Sequence, residues 1–225
     1  MLDGLHGLDD AALEGWVRER LRDGTHLLGH GYQGAVYLFE EHEPPLVIKT
    51  AHGRGPGAML RRKMLRQERE VYRRLAGVAG VPRCFGLLDG RHLVLEFIEG
   101  VPFRRARIDE RAPFFDRLAR LIAELHARGV AHGDLKKKDN LLVRANNHPE
   151  LIDFGVAIVR RPGFAPLNHF LYELAARFDI NACAKLRLGR TPDPHRDSEL
   201  YGYRRTHIER LAGWIKTTYL ALRGR

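Results

Sequence analysis

The spacing of apolar residues changes along the chain from a helical period to a strand period. Residues 8–23 carry apolar side chains at helical intervals after Asp9 and Asp10, either of which can cap a helix, and Gly24 follows the segment. Residues 26–50 are instead rich in β-branched and apolar residues, with the turn EEHEPP among them. The pattern predicts a short helix and then three strands, with glycines at the first bend.

Later segments add longer helical stretches and only short strands. The pair Asp89-Gly90 is typical of a tight turn between two strands. The predicted elements are two strands within 84–98, short strands at 141–143 and 151–153, and helices at 58–76 and 113–128. The chain after these is mostly helical in pattern. This order predicts an α+β fold in two lobes, with a boundary near residues 99–102.

A glycine-rich run lies at the first predicted bend. Gly29, Gly31 and Gly34 form a GxGxxG pattern, which alone is weak because it also occurs in dinucleotide-binding turns. A dinucleotide site needs these glycines to open a helix, whereas here they lead into the alternating segment AVYLF. The run therefore predicts a strand-turn-strand whose backbone N–H groups cover a polyphosphate. A bulged hairpin without a ligand is the alternative.

A lysine ends the third predicted strand. Lys49 follows the apolar residues 46–48, and such a lysine is poorly solvated without a nearby anion. After a glycine-rich hairpin, this arrangement is typical of a lysine that pairs the phosphates of ATP and a helix carboxylate. We predict Glu68 as the partner, since apolar residues lie three, four and seven positions later and anchor the helix. Glu70 stays an alternative partner, and a solvated edge-strand lysine an alternative role.

Two further motifs follow in the second half of the chain. Asp134 lies in the run HGDLK, which Asn140 and the predicted strand LLV follow, and Asp153 opens the run DFG after LID. With the glycine run and the lysine, these motifs occur in the order in which the chain resembles the protein-kinase-like superfamily over residues 26–185. The resemblance implies a small β-rich N-lobe at 26–100 and a shortened, mostly helical C-lobe at 101–225, after a helical extension at 1–25.

The resemblance implies a role for each motif residue. Asp134 would accept or orient the proton of the attacking hydroxyl, and Lys136 would contact the transferring phosphate. Asn140 and Asp153 would hold Mg²⁺, or Mn²⁺, ions that bridge the phosphates of ATP. The residues that the resemblance implies for nucleotide binding are Leu28, Gly29, Gly31, Gly34, Val36, Lys49, Glu96 and Ile98, the last two through their backbone.

The sequence departs from the family pattern around the catalytic loop. Gly133 precedes Asp134 where the family has an arginine, which resembles the atypical small kinases, including RIO-type kinases and bacterial lipopolysaccharide-core (Kdo) kinases. Asn140 lies six residues after Asp134, where five is usual, so Asp139 is an alternative metal ligand.

The segment after Asp153 also departs from the pattern. It lacks an APE motif and has no Ser or Thr between Phe154 and Arg190, which leaves Tyr172 as its hydroxyl. Control by Ser/Thr phosphorylation of this segment is therefore excluded, and we expect a constitutively assembled or partner-regulated site. Asp179 lies where the resemblance implies an aspartate that braces the catalytic-loop backbone.

The amino-acid composition indicates which kinds of binding partner and which cellular compartment to expect. A 44% hydrophobic content excludes a disordered chain, and a net charge of +10 favours an anionic partner or membrane surface, with solvated arginines as the alternative. Two isolated cysteines predict a reducing cytoplasm, and no apolar run reaches the ~20 residues of a membrane span. An amphipathic helix predicted at 207–225 either packs on its own lobe or lies at the inner membrane face.

Three functions are consistent with these patterns. The first is an ATP- and Mg²⁺-dependent Ser/Thr-type protein kinase. The second is a kinase for a lipopolysaccharide-core sugar or another small molecule, which the glycine before Asp134 and the basic charge favour. The third is a pseudokinase or binding module, against which the presence of Lys49, Asp134 and Asp153 argues.

Overall fold

The computed structural model describes residues 2, 5, 9–31, 34–51, 53, 55–190, 192–193 and 203–204. The chain folds as two compact units, the first within residues 1–109 and 137–157, the second within 110–136 and 158–225. The predicted helix at 207–225 lies outside the described residues. Among the described residues, no helix is long and apolar enough to cross a membrane.

The first helix has the bounds that its capping residues predict. Helix α1 runs from Asp10 to Asp23, and the side chain of Asp9 accepts hydrogen bonds from the backbone N–H groups of Ala11 and Ala12. Gly24 ends the helix in the left-handed conformation at φ 70°, which glycine adopts without steric cost. The predicted helix and both of its ends are confirmed.

The larger sheet of the first unit has five antiparallel strands. Its strands are β1 (Leu27–Gly31), β2 (Gly34–Phe39), β3 (Leu46–Thr50), β4 (Cys84–Leu88) and β5 (His92–Glu96). The spatial order is β1-β2-β3-β5-β4, and helix α2 (Pro56–Arg74) connects β3 to β4. The three strands predicted before residue 50 and the hairpin around Asp89-Gly90 are confirmed.

The two faces of this sheet have different surroundings. In β2 and β3 every second residue is buried, because successive side chains point to opposite faces. The buried face packs against α1 in one apolar cluster, which includes Leu13, Val17, Phe39, Leu46, Ile48, Phe85, Leu88 and Val94. The half-buried face carries Val36 and Lys49. Helix α1 therefore occupies one side of the sheet, and Val36 and Lys49 lie on the other.

A smaller sheet completes the first unit. Strands β6 (Val101–Pro102), β8 (Leu141–Val143) and β9 (Pro149–Leu151) pair in the order β6-β8-β9. The strand predicted at 151–153 is wrong by two residues, since it covers Pro149–Leu151. The physical reason is Asp153, whose φ of 66° takes the chain out of the extended conformation.

The second unit is mostly helical. Helices α3 (Arg111–Ala127) and α4 (Pro166–Leu188) pack together, and the short strands β7 (Val130–Ala131) and β10 (Ile158–Val159) form a two-stranded ladder. The described chain thus has a β-sheet N-terminal region and a helical C-terminal part, and the predicted α+β class is confirmed.

A buried histidine lies at the start of β5. The Nδ1 atom of His92 is 3.1 Å from the hydroxyl oxygen of Thr50, which ends β3. Burial lowers the pKa of His92 to about 4, with Asp89 acting in the opposite sense and Arg91 and Arg62 reinforcing the shift. The folded protein therefore holds a neutral imidazole at pH 7.

This histidine predicts a loss of stability in mild acid. Between its ordinary pKa of 6.5 and about 4, the unfolded chain binds a proton that the folded protein does not, so stability falls as the pH falls. We expect His92 to contribute a loss of about 2 kcal/mol between pH 7 and pH 5. Urea unfolding of wild type and His92→Gln at both pH values measures it. An equal pH dependence in the two proteins would contradict the assignment.

Candidate active site

The glycine strand and the lysine strand are in register across the sheet. Gly29 of β1 pairs with Val36 of β2, and Val36 pairs with Lys49 of β3. Gly31 pairs with Gly34, while Tyr32 and Gln33 between them lie outside the described residues. Because in-register side chains point to the same face, Val36 and Lys49 share the half-buried face of the sheet.

Lys49 is bonded to two carboxylates at once. Its Nζ donates to Glu68 Oε1 at 2.6 Å and to Asp153 Oδ1 at 2.9 Å, and its side chain is 13% exposed. Burial acts to lower the pKa of Lys49, but the charges of Glu68 and Asp153 outweigh it, so the pKa lies above its ordinary value. The result is an ammonium that is charged at neutral pH and held between a helix carboxylate and a loop carboxylate.

The structure distinguishes the two glutamates of α2. Glu68 lies on the packed face of the helix with a fully buried side chain, whereas Glu70 is half-exposed and bonds Arg73 at 2.8 Å and Arg74 at 3.2 Å. The hydrogen bond from Arg73 lowers the pKa of Glu70 to about 2. Glu68 is therefore the lysine partner, as the spacing of apolar residues on α2 predicts, and Glu70 belongs to a surface ion pair.

Neutralising each glutamate separately gives a matched test. Glu68→Gln keeps the shape of the side chain but removes the buried charge that holds Lys49, so we expect phosphoryl transfer to fall at least about tenfold. Glu70→Gln removes only a surface pair, of the kind worth about 0–1 kcal/mol, and we expect activity within about twofold of wild type. Steady-state kinetics with saturating ATP measures both. Equal losses in the two variants would contradict the assignment.

Residues around Asp153 connect the loop to helix α2. Phe154 is buried and packs edge-on against Tyr72 at 5.2 Å between ring centroids. Tyr72 lies one helical turn after Glu68, so the same contact supports the helix beside its carboxylate. The sequence did not reveal this contact. The contact of Lys137 with this loop was also not predicted, and its Nζ lies 4.0 Å from Asp153 Oδ2.

The structure also separates the two candidate metal ligands before β8. Lys138–Asn140 form a 3₁₀ turn in which Asn140 is buried and donates its N–H to the carbonyl of Lys137 at 2.9 Å. The carbonyl of Asn140 accepts from the N–H of Ile152 at 3.0 Å, which ties the turn to the chain just before Asp153. The carboxylate of Asp139 is instead bonded to Arg104 at the surface. This arrangement favours Asn140.

The donor set fits the magnesium ion that the family implies. Among the described residues, no cluster of three or more His, Cys, Asp or Glu side chains is placed to hold a metal. Mg²⁺ is commonly bound by one or two protein oxygens together with substrate phosphates, so the Asp153 carboxylate and the Asn140 amide are suitable donors. The half-exposed carboxylate of Asp153 is accessible to such a ligand.

The other predicted nucleotide residues lie along the same sheet. Leu28 is 53% exposed in β1, while Ile98, just after β5, is buried. The N–H of Glu96 donates to the carbonyl of Arg83 at 2.8 Å within the sheet. A contact of Glu96 with adenine would therefore use its carbonyl oxygen.

A buried aspartate organises the catalytic loop in the second unit. Asp179 of α4 accepts hydrogen bonds from the backbone N–H groups of His132 and Gly133, each at 2.8 Å. Its carboxylate also lies 3.1 Å from His126 Nε2. The predicted bracing by Asp179 is confirmed. Gly133 has a φ of 79°, which glycine adopts with less strain than a larger residue, and this is a physical reason for glycine before Asp134.

Three more polar residues of this unit have contacts in the structure, namely Asp134, Lys136 and Tyr172. The N–H of Asp134 donates to His132 Nδ1 at 3.3 Å, and the ammonium of Lys136 lies 4.8 Å from the ring centroid of Phe178. The hydroxyl of Tyr172 donates to the carbonyl of His126 at 2.9 Å from a buried ring. Tyr172 carries the hydroxyl of the segment after Asp153, and that hydroxyl is therefore bonded inside the second unit.

Comparisons with known proteins agree with this arrangement. A glycine-rich hairpin, a paired strand lysine and a DFG loop define the kinase class of fold. The protein kinase domain family matches residues 23–171, more than half of the 225 residues, and the chain belongs to this family.

Three relatives illustrate the range of proteins that share this similarity. A probable SapB synthase of Streptomyces coelicolor is 36% identical over 63% of the chain, and calcium-dependent protein kinase 26 of Arabidopsis thaliana is 27% identical over 61%. The 3-deoxy-D-manno-octulosonic acid kinase of Stenotrophomonas maltophilia is 37% identical over 36%. The chain covers only 18%, 31% and 32% of these proteins' lengths, respectively.

Proposed function

We propose that this chain is an ATP- and Mg²⁺-dependent phosphotransferase that moves the γ-phosphate of ATP to a hydroxyl group, as a Ser/Thr-type protein kinase. The observation that carries the proposal is Lys49, which bonds Glu68 at 2.6 Å and Asp153 at 2.9 Å on the half-buried face of the sheet. A cation fixed in this way neutralises the phosphates of ATP, and phosphoryl transfer depends mainly on positioning and on neutralising charge.

Each residue has one role in this proposal. Lys49 holds the phosphates, Glu68 holds Lys49, and Asn140 and Asp153 are the ligands of Mg²⁺, which supplies charge neutralisation when bound. Asp134 orients the acceptor hydroxyl and takes its proton. Lys136, Leu28, Gly29, Gly31, Gly34, Val36, Glu96 and Ile98 keep the phosphate-contacting and nucleotide-binding roles that the sequence predicts.

A sugar or small-molecule acceptor is the second candidate. It is supported by the 37% identity over 82 residues to a protein named 3-deoxy-D-manno-octulosonic acid kinase and by Gly133 in place of the usual arginine. The net charge of +10 supports an anionic acceptor or an anionic membrane surface for either candidate.

The proposal is tested with the purified chain and Mg²⁺·ATP. We expect a nucleotide-induced rise in melting temperature that requires Mg²⁺, and loss of that metal-dependent rise in Asp153→Ala. Labelled ATP with cell extract then shows whether label enters protein or carbohydrate. Binding of nucleotide without any transfer would identify a pseudokinase, and neither binding nor transfer would overturn the proposal.

A further inference from the structure

A cavity of about 220 Å³ lies in the first unit, lined by residues other than those of the candidate active site. Its wall comes from four places in the chain: α1, the end of β3 and the residues after it, α2, and the hairpin between β4 and β5. Ligand pockets for drug-sized molecules are roughly 300–1,000 Å³, so this cavity suits a smaller ligand.

The charges on the wall favour an anion. Arg18, Arg62 and Arg91 line the cavity against two carboxylates, Glu14 and Asp89. Asp89 forms an ion pair with Arg91 at 3.1 Å, and its side chain is half exposed. One positive charge is therefore in excess. Guanidinium groups bind phosphate through paired, parallel hydrogen bonds, which makes arginine the preferred side chain for such an anion.

One donor in the wall lacks an acceptor. The Nε atom of Arg62 is buried and has no hydrogen-bond partner within the part of the chain that the structure describes. A buried N–H donor without an acceptor is costly and rare in folded proteins, and a bound ion can supply the acceptor that the protein itself does not. Arg62 lines the cavity, so a small movement of its guanidinium would bring Nε to an oxygen of a ligand bound there.

Two buried residues of the wall add a hydroxyl and an imidazole. Thr50 is 1% exposed and lies 3.1 Å from the Nδ1 atom of His92, which is 9% exposed. The pKa of His92, which burial, Arg91 and Arg62 lower against the opposing charge of Asp89, keeps this ring neutral at pH 7. A dianion beside the ring would favour its protonation and so gain a further cation.

The cavity also connects to helix α2 and strand β3. Arg62 and Glu68 belong to the same helix, and Thr50 directly follows Lys49 in β3. A ligand bound to Arg62 and to the β4–β5 hairpin would hold α2 against the sheet, at the helix that supplies the lysine partner. Because the segment after Asp153 has no Ser or Thr, such a ligand would offer control by another route.

We propose that this cavity is a site for a small phosphate-type dianion, and that its occupancy stabilises α2 in the position in which Glu68 pairs with Lys49. Inorganic phosphate and a small phosphate monoester share the chemistry that the arginines recognise. The effect on catalysis rests on the proposed function, whereas binding does not.

The binding test uses the full chain saturated with Mg²⁺ and a non-hydrolysable ATP analogue, so that phosphate does not report on the nucleotide site. Calorimetric titrations at constant ionic strength use inorganic phosphate in one arm and glycerol 3-phosphate in the other. We expect Arg62→Gln to weaken Kd at least about tenfold, because it removes a charge-assisted donor. Arg69→Gln, an exposed arginine of the same helix outside the cavity, should stay within about twofold.

The outcomes separate the parts of the proposal. A tighter Kd in the second arm identifies a monoester, and a tighter Kd in the first arm identifies inorganic phosphate. Equal values show that the site recognises the phosphate group that both ligands share. No binding to wild type, or equal binding to wild type and Arg62→Gln, overturns the site. If the protein binds no nucleotide, the proposed function fails, and the same titrations without nucleotide still decide the site. Arg18→Gln replaces Arg62→Gln if that variant does not fold.

Activity tests the connection to α2. Saturating phosphate should raise phosphoryl transfer at least about twofold in wild type and in Arg69→Gln, and leave Arg62→Gln unchanged. Binding without any change in wild-type activity would overturn the coupling to α2.

Discussion

Replacing Asp134 by asparagine is expected to lower the turnover number at least about 100-fold while leaving nucleotide affinity nearly unchanged. Asparagine keeps the size of the side chain but cannot accept a proton, and a positioned base contributes roughly 10²–10⁴-fold to such reactions. The backbone around the residue should persist, because Asp179 fixes the preceding N–H groups of His132 and Gly133. Single-turnover transfer from labelled ATP and a nucleotide melting shift measure the two quantities separately.

Asp139→Asn is the matched control for this experiment. The Asp139 carboxylate is bonded to Arg104 at the surface, and its loss should change transfer by less than about threefold. A large loss in Asp139→Asn would instead support it as the metal ligand in place of Asn140. Full activity in Asp134→Asn would show that the base lies elsewhere.

Local sequence signals predicted the elements that local physics determines. Asp9 and Gly24 set the ends of α1 because their side chain and backbone cap a helix without help from distant residues. Glu68 was predicted over Glu70 because the helical period places it on the same face as the apolar residues that follow, and that face is packed.

Structural features that depend on residues far apart in the chain could not be predicted from local sequence patterns. The strand before Asp153 was placed two residues too late, because its end depends on the positive φ of Asp153 and apolar spacing does not report it. The contact of Tyr72 with Phe154 joins residues far apart in sequence. The arginine-lined cavity draws on four separate segments, and each of its arginines resembles a solvated surface residue in sequence.

Glycine at position 133 and aspartate at position 179 act together. In this loop the N–H groups of His132 and Gly133 both point to the carboxylate of Asp179. The positive φ of Gly133 then sets the direction of the chain into Asp134, and glycine adopts that φ with less strain than another residue would carry. The absence of arginine before Asp134 is therefore compatible with an ordered catalytic loop. In the structure, the buried carboxylate of α4 holds this backbone.

Asp179→Ala is accordingly expected to lower the free energy of unfolding by about 3–5 kcal/mol. The carboxylate is 0% exposed and accepts two backbone N–H groups at 2.8 Å, and each buried donor left without an acceptor costs about 1–3 kcal/mol. Asp116→Ala is the matched control. It removes an aspartate of the same unit that pairs with Arg187 at 2.6 Å but is 55% exposed, so its cost should be below about 1 kcal/mol.

Urea unfolding of the two alanine variants measures their free energies of unfolding. A third variant, Asp179→Asn, distinguishes an effect on stability from an effect on the position of the loop. Its amide keeps one oxygen acceptor in place of two, so it should fold with a smaller loss of stability, of about 1–2 kcal/mol. Its turnover should still fall with nucleotide affinity unchanged, because the backbone that carries Asp134 is no longer held at both N–H groups. Comparable losses of stability in Asp179→Ala and Asp116→Ala would show that the buried carboxylate does not brace the loop.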